Sequence, residues 1–221
     1  MEQDARIYVA GMQSPIGAAL LRALGGQGYA NLVGVEEGEP DLGDAAQVEA
    51  FFARTRPEYV FVAGGRSGGI RANQRYPAAL MRDNLLMECH VIHSAQRHRV
   101  KKLLYLASSC CYPRHCPQPM RVESLMTGPL EPTNEAYALA KLAGMGLCRA
   151  YAQQYEAPFV SAIPADTFGP GDDFSPEDSH VVPALIRRMH EAKASGAEAV
   201  EIWGTGRPRR EFVYIDDAAD A

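Results

Sequence analysis

A chain of 221 residues with 47% hydrophobic and 22% charged side chains can bury one large core and has the ordinary make-up of a soluble globular protein. A formal net charge of −5 argues against nucleic acid or an anionic membrane as partner, and no apolar run reaches the roughly 18–20 residues that cross a bilayer. Five cysteines (89, 110, 111, 116 and 148) and a Met-Glu-Gln-Asp start without basic flank or apolar stretch predict free thiols in a reducing cytoplasm.

Along the chain, Ile7-Tyr8-Val9-Ala10 is a short apolar run ending at Gly11. The breaker-free segment Ile16–Leu24 follows, closed by Gly25-Gly26, so the start reads as strand, turn and helix. Asn31–Val35 reads as a second strand, Gln47–Arg54 as a helix, and Tyr59–Val62 as a strand buried on both faces. A long helix is predicted over Arg82–Arg97, then a strand over Leu103–Leu106 and a loop rich in Ser, Cys and Pro. A helix over Glu135–Gln154 leads to a strand over Phe159–Ile163. Strands that are apolar throughout, alternating with helices, predict an α/β fold. Its core is a Rossmann-type, doubly wound parallel sheet over residues 1–163, with ligands at the carboxyl ends of the strands. From Pro164 the composition turns to Gly, Pro, Asp and Ser, which predicts a small, partial substrate-binding lobe over 164–221 with a strand at 199–203.

Gly11-x-x-Ser14-Pro15-Ile16-Gly17 directly follows the first strand and opens the first helix. A tight turn there lets backbone N–H groups and the helix dipole face a pyrophosphate. Ser14 stands where a middle glycine is common, so the pattern alone also describes an ordinary strand-to-helix turn. Asp41-Leu42 is a candidate lining for an adenine pocket, and Ala63-Gly64-Gly65 allows a close backbone approach to a cofactor.

Tyr137 and Lys141 lie four apart on a predicted helix and project from one face. An ammonium beside a phenol stabilises the phenolate, which predicts a lowered tyrosine pKa and a usable proton donor near neutrality. Ser108-Ser109 ends the Leu103–Leu106 strand and brings a hydroxyl to the same crevice, where it can hold a carbonyl oxygen beside the tyrosine. Cys110, Cys111, His115 and Cys116 lack the paired spacing of a zinc site, so no metal is predicted.

The segments Gly68-Gly69-Ile70, Ser108–Pro113, Glu131–Lys141, Phe168-Gly169-Pro170, Ser179–Arg188 and Trp203–Phe212 together resemble the extended short-chain dehydrogenases/reductases. Within them the chain is most similar to the GDP-L-fucose synthases, the GDP-4-keto-6-deoxymannose 3,5-epimerase-4-reductases. The resemblance implies NADP(H), a GDP-sugar substrate and a homodimer built through the helices at about 82–97 and 135–154. It assigns Ser108 and Tyr137 to the sugar C4 oxygen, and Lys141 to the nicotinamide ribose and to tuning Tyr137. Cys110 and His180 become base and acid for epimerisation at C3 and C5. Pro164 and His180 join the cofactor-binding set, and Arg188, Arg210, Trp203 and Asp166 the substrate-binding set.

Three departures qualify what the resemblance implies. Gln13, Glu36 and Glu37 stand where basic or hydroxyl groups would meet a 2′-phosphate, which admits NAD(H) as cofactor. Asp166 replaces a substrate-contacting asparagine, which admits a related ketosugar such as a colitose precursor. The substrate lobe is expected to be truncated at Ala221, with apolar surface left exposed, and a catalytically idle NAD(P)-binding protein is the remaining alternative.

Overall fold

The computed structural model describes residues 1–202 and 204–221. Five parallel strands form the central sheet: β1 (Ile7–Ala10), β2 (Leu32–Val33), β3 (Tyr59–Val62), β4 (Lys102–Leu106) and β5 (Phe159–Ala162), in the order β2-β1-β3-β4-β5. The order reverses between β1 and β3, so the crevice beyond Ala10 and Val62 is the place where this doubly wound topology binds ligands. The predicted α/β class and parallel sheet are observed.

Both faces of the sheet are covered, which is why the strands lack polar alternation. Tyr8, Val60, Val62, Leu103 and Tyr105 pack with helices α2 (Ala45–Thr55), α4 (Pro77–Arg97) and α5 (Glu135–Tyr155). Ile7 and Val9 point the other way, onto Leu20 and Leu24 of α1 (Pro15–Gly26). A short helix, α3 (Ile70–Arg75), precedes α4.

Several boundaries differ from the sequence reading, each for a local reason. Helix α1 runs through Gly25-Gly26 and stops at Gly28, whose φ of +87° is the left-handed geometry that ends helices. The second strand shrinks to two residues because Gly34 turns at φ +90°, where a side chain would strike Met12 and Phe51. Helix α4 begins at Pro77, five residues before the predicted Arg82, because proline suits the first helical position.

Beyond β5, residues 164–221 form a two-stranded parallel sheet, β6 (Asp166–Phe168) with β7 (Phe212–Tyr214). Two helices accompany it, α6 (Val181–Ser195) and α7 (Ile215–Asp220). The predicted strand at 199–203 is not formed over 199–202, which find no partner strand, and Trp203 lies outside the described residues. Val160 of β5 and Val181, Ile186 and Met189 of α6 are exposed. Among the described residues no helix is long and apolar enough to cross a membrane.

Candidate active site

At the switch point two glycine loops meet backbone to backbone. Gly11 takes φ +81°, and a Cβ there would lie 2.0 Å from Gly64 Cα; a Cβ on Gly17 would lie 2.2 Å from the Gly11 carbonyl oxygen. Only bare backbone fits, so the floor of the crevice stays low enough for a ligand to reach main-chain groups. Ser14 locks this turn: its hydroxyl donates to the Gly11 carbonyl (2.7 Å) and accepts from Gly17 N (3.1 Å) as the cap of α1. The same hydroxyl lies 3.1 Å from the Ala63 carbonyl, joining the two loops. Pro15 sets the first helical residue, and Ile16 packs into the core beside Leu20. This cradle, with its helix N-terminus and no side chain in the way, fits the diphosphate of a dinucleotide.

Glu39 was not anticipated. Its carboxylate accepts from Gly11 N (2.6 Å) and from the Tyr8 hydroxyl (2.9 Å), pinning the segment after β2 beneath the glycine loop. Burial pushes the Glu39 carboxyl up, against the hydrogen bonds from Gly11 and Tyr8. Glu36 and Glu37 lie exposed in the turn over 34–37 rather than on a strand end. Asp41 folds back on its own turn, accepting from Gly43 N (2.9 Å), while Leu42 packs against the core.

The chemical residues gather at the carboxyl end of β4. Ser108 caps a single 3-10 turn over Ser109–Cys111, its hydroxyl accepting from Cys110 N (3.3 Å) and bonding to the Tyr137 side chain. Tyr137 is half-buried in the first turn of α5. Cys110 is held from α5 as well: Asn134, the cap residue of that helix, donates from Nδ2 to Cys110 Sγ (3.0 Å). Burial pushes the Cys110 thiol up and Asp166 adds to this, whereas Ser108 and Arg210 pull it down. Asp166 itself accepts a 2.8 Å hydrogen bond from Ser109, which ties β6 to the 3-10 turn.

Lys141 differs from expectation. The residue is 3% exposed and its ammonium reaches the crevice beside Gly65, but its nearest charge is Glu88 Oε1 at 3.3 Å. It also donates to the carbonyls of Gly64 and Leu106, each at 3.4 Å. Tyr137 is therefore not lowered as the four-residue spacing predicted. Burial pushes its hydroxyl up, with the Cys110 thiol adding and Ser108 opposing.

The remaining candidates lie beyond β5. His180 is exposed at the cap of α6, and its segment is anchored across the cleft by Gly69 N donating to the Asp178 carbonyl (2.8 Å). Among the described residues no hydrogen bond joins His180 to Cys110 or Tyr137. Pro164 follows β5, Arg188 on α6 donates to the Glu201 carbonyl (3.4 Å), and Arg210 is exposed just before β7. Glu88 and Asn134, both unassigned from sequence, touch Lys141 and Cys110 directly. The signal for Glu88 was present: a carboxylate at the buried spacing Leu80, Asn84, Glu88, Ile92 of α4.

The profile of the NAD dependent epimerase/dehydratase family matches residues 7–221. A putative GDP-L-fucose synthase 2 of Arabidopsis thaliana is 50% identical over 221 residues, covering all of this chain and 67% of that protein. The GDP-L-fucose synthase of Escherichia coli K12 is 45% identical over 216 residues, 98% of this chain and 67% of the relative. A solved GDP-L-fucose synthetase of Naegleria fowleri bound to NADP superposes with a TM-score of 0.84 at 31% identity, over 99% of this chain and 72% of its own. A nucleotide cradle at the β1/β3 reversal, a Ser-Tyr-Lys group at the end of β4 and a match across nearly the whole length place this chain in the NAD-dependent epimerase/dehydratase family.

Proposed function

We propose that the chain is an NADP(H)-dependent nucleotide-sugar epimerase/reductase that converts GDP-4-keto-6-deoxy-D-mannose to GDP-L-fucose. The observation that carries this reading is the convergence of Ser108, Cys110 and Tyr137 on one turn at the mouth of the glycine cradle. A bare epimerase or a bare reductase needs only part of that set. When bound, the reduced nicotinamide supplies hydride to the sugar C4.

The chain's own residues supply the rest. Ser108 and Tyr137 hold the C4 oxygen, and the raised Tyr137 hydroxyl is a protonated donor at neutral pH, as reduction requires. Before reduction the C4 ketone acidifies the protons at C3 and C5, so a thiolate at Cys110 can remove them and His180 can return them from the opposite side. Asn134 supports that thiolate with its amide hydrogen. His180 reaches the sugar from the second lobe, whose Arg188 and Arg210 carry charged forks suited to a diphosphate. Gly11, Ser14 and Gly17 hold the cofactor diphosphate, Ala63, Gly64 and Gly65 line its path, and Lys141 and Pro164 border the nicotinamide ribose. Five free cysteines support a reducing cytoplasm as the setting, and two copies paired through α4 and α5 are the assembly this reading expects.

The test separates the two chemistries. Cys110→Ser should abolish solvent-deuterium exchange at C3 and C5, while Tyr137→Phe should cut NADPH oxidation by roughly 10²–10⁴-fold and leave exchange largely intact. NADH assayed beside NADPH settles the cofactor. Exchange and turnover both unchanged in Cys110→Ser would defeat the epimerase half. A related 4-ketosugar is the second reading, favoured by the Ser109–Asp166 hydrogen bond at the sugar end of the cleft, and is separated by substrate profiling.

A further inference from the structure

We propose that Glu88, buried beneath the cleft on α4, is a positioning residue that keeps Lys141 charged and aimed at the cofactor. The inference rests on the cofactor reading above for its purpose, but its geometry stands apart from it. Glu88 is 1% exposed, and its Oε1 lies 3.3 Å from Lys141 Nζ and accepts a 2.6 Å hydrogen bond from the Tyr105 hydroxyl. Its other oxygen, Oε2, has no hydrogen-bond partner among the described residues. The pair is close-fitted: a Cβ on Gly144 would lie 2.9 Å from that oxygen and 2.5 Å from the Tyr105 hydroxyl.

A carboxylate with one bare oxygen in a core is costly unless its charge serves a neighbour. The neighbour here is an ammonium whose pKa burial draws down, and Glu88 is the foremost group opposing that shift. The other titratable groups around the pair are Tyr105 from β4, Cys111 from the 3-10 turn, Tyr137 and Cys148 from α5, and Cys89 beside Glu88 on α4. All five are pushed up and stay neutral at physiological pH, so no second anion can replace Glu88. Burial pushes the Glu88 carboxyl up while Lys141 and Tyr105 draw it back, so the two charges of the pair favour each other, and Tyr105 and Gly144 hold the carboxylate in line.

The chain has four lysines (101, 102, 141 and 193), so ¹³C-lysine NMR resolves Lys141, with Lys141→Met giving the assignment. Glu88→Gln keeps an acceptor for Tyr105 and removes only the charge. It should move the Lys141 titration down by at least about one pH unit, with Glu88→Asp restoring part of the shift. NADPH binding by Glu88→Gln should weaken toward alkaline pH over the same displaced range. An unmoved Lys141 titration overturns the proposal, since a merely structural Glu88 would lower thermal stability without touching it. Should Glu88→Gln not fold, the reciprocal arm applies: Lys141→Met should raise the titration of the Glu88 carboxyl carbon, and an unchanged midpoint overturns the proposal equally. Wild-type chain that fails to bind NADPH defeats the functional reading and leaves the two titrations to decide Glu88.

Discussion

At the residue level, the cleft is organised by carboxylates held where water is scarce. Glu88 and Glu39 are both raised by burial, one beside Lys141 and one under the glycine loop. For Glu39 the sign of the pH effect follows directly. A folded-state pKa above the ordinary carboxylate value means that the native chain binds the extra proton, so its contribution to stability is complete below that ordinary value. It is lost as pH rises through the raised one. Thermal melts should therefore show the wild-type advantage over Glu39→Gln shrinking as pH rises above the ordinary carboxylate range. A constant gap would mean that Glu39 acts only as a hydrogen-bond acceptor. A raised pKa also lessens the charge that Glu39 presents to a diphosphate at the same loop.

Among the elements, the turn from β1 into α1 carries the most consequence per residue. Ser14 caps the helix and joins Gly11 to Ala63, so Ser14→Ala should cost about 1–2 kcal/mol in urea denaturation and weaken NADPH binding. The strands were legible in sequence because burial on both faces writes them as unbroken apolar runs, as in Tyr59–Val62. Their neighbours' ends were not, because a single left-handed glycine, Gly28 or Gly34, decides them. Helix α6 escaped the composition reading since its apolar Val181, Ile186 and Met189 face outward and signal no core. In the candidate site, Ser108, Tyr137 and Lys141 stood out by spacing and by their place after β4, whereas Cys110 and His180 came only from the family resemblance. Glu39 and Asn134 did not stand out, because each acts on a partner 28 or 24 positions away, which no local pattern records; Glu88 showed as a carboxylate on the buried face of α4, but not its partner 53 positions on.

Across the whole molecule, α4 and α5 pack along their length and leave between them an apolar groove of about 360 Å³, lined by Leu85, Cys89, Ala143 and Leu147. Glu88 and Gly144 lie at its floor. Light scattering behind size-exclusion chromatography should give the mass of two copies, and Ala143→Arg should return it to one; a monomeric wild type would remove α4 and α5 from the assembly. The other side of the sheet is closed from far along the chain. Helix α7 lies on α1, with Arg22 paired to Asp216, Gln27 to Asp220, and Ile215 only 1% exposed. The helix that opens the nucleotide cradle is thus steadied by residues made almost 200 positions later. A ribosome that has released β1 and α1 but still shelters residues 215–220 therefore presents a cradle whose opening helix lacks this brace.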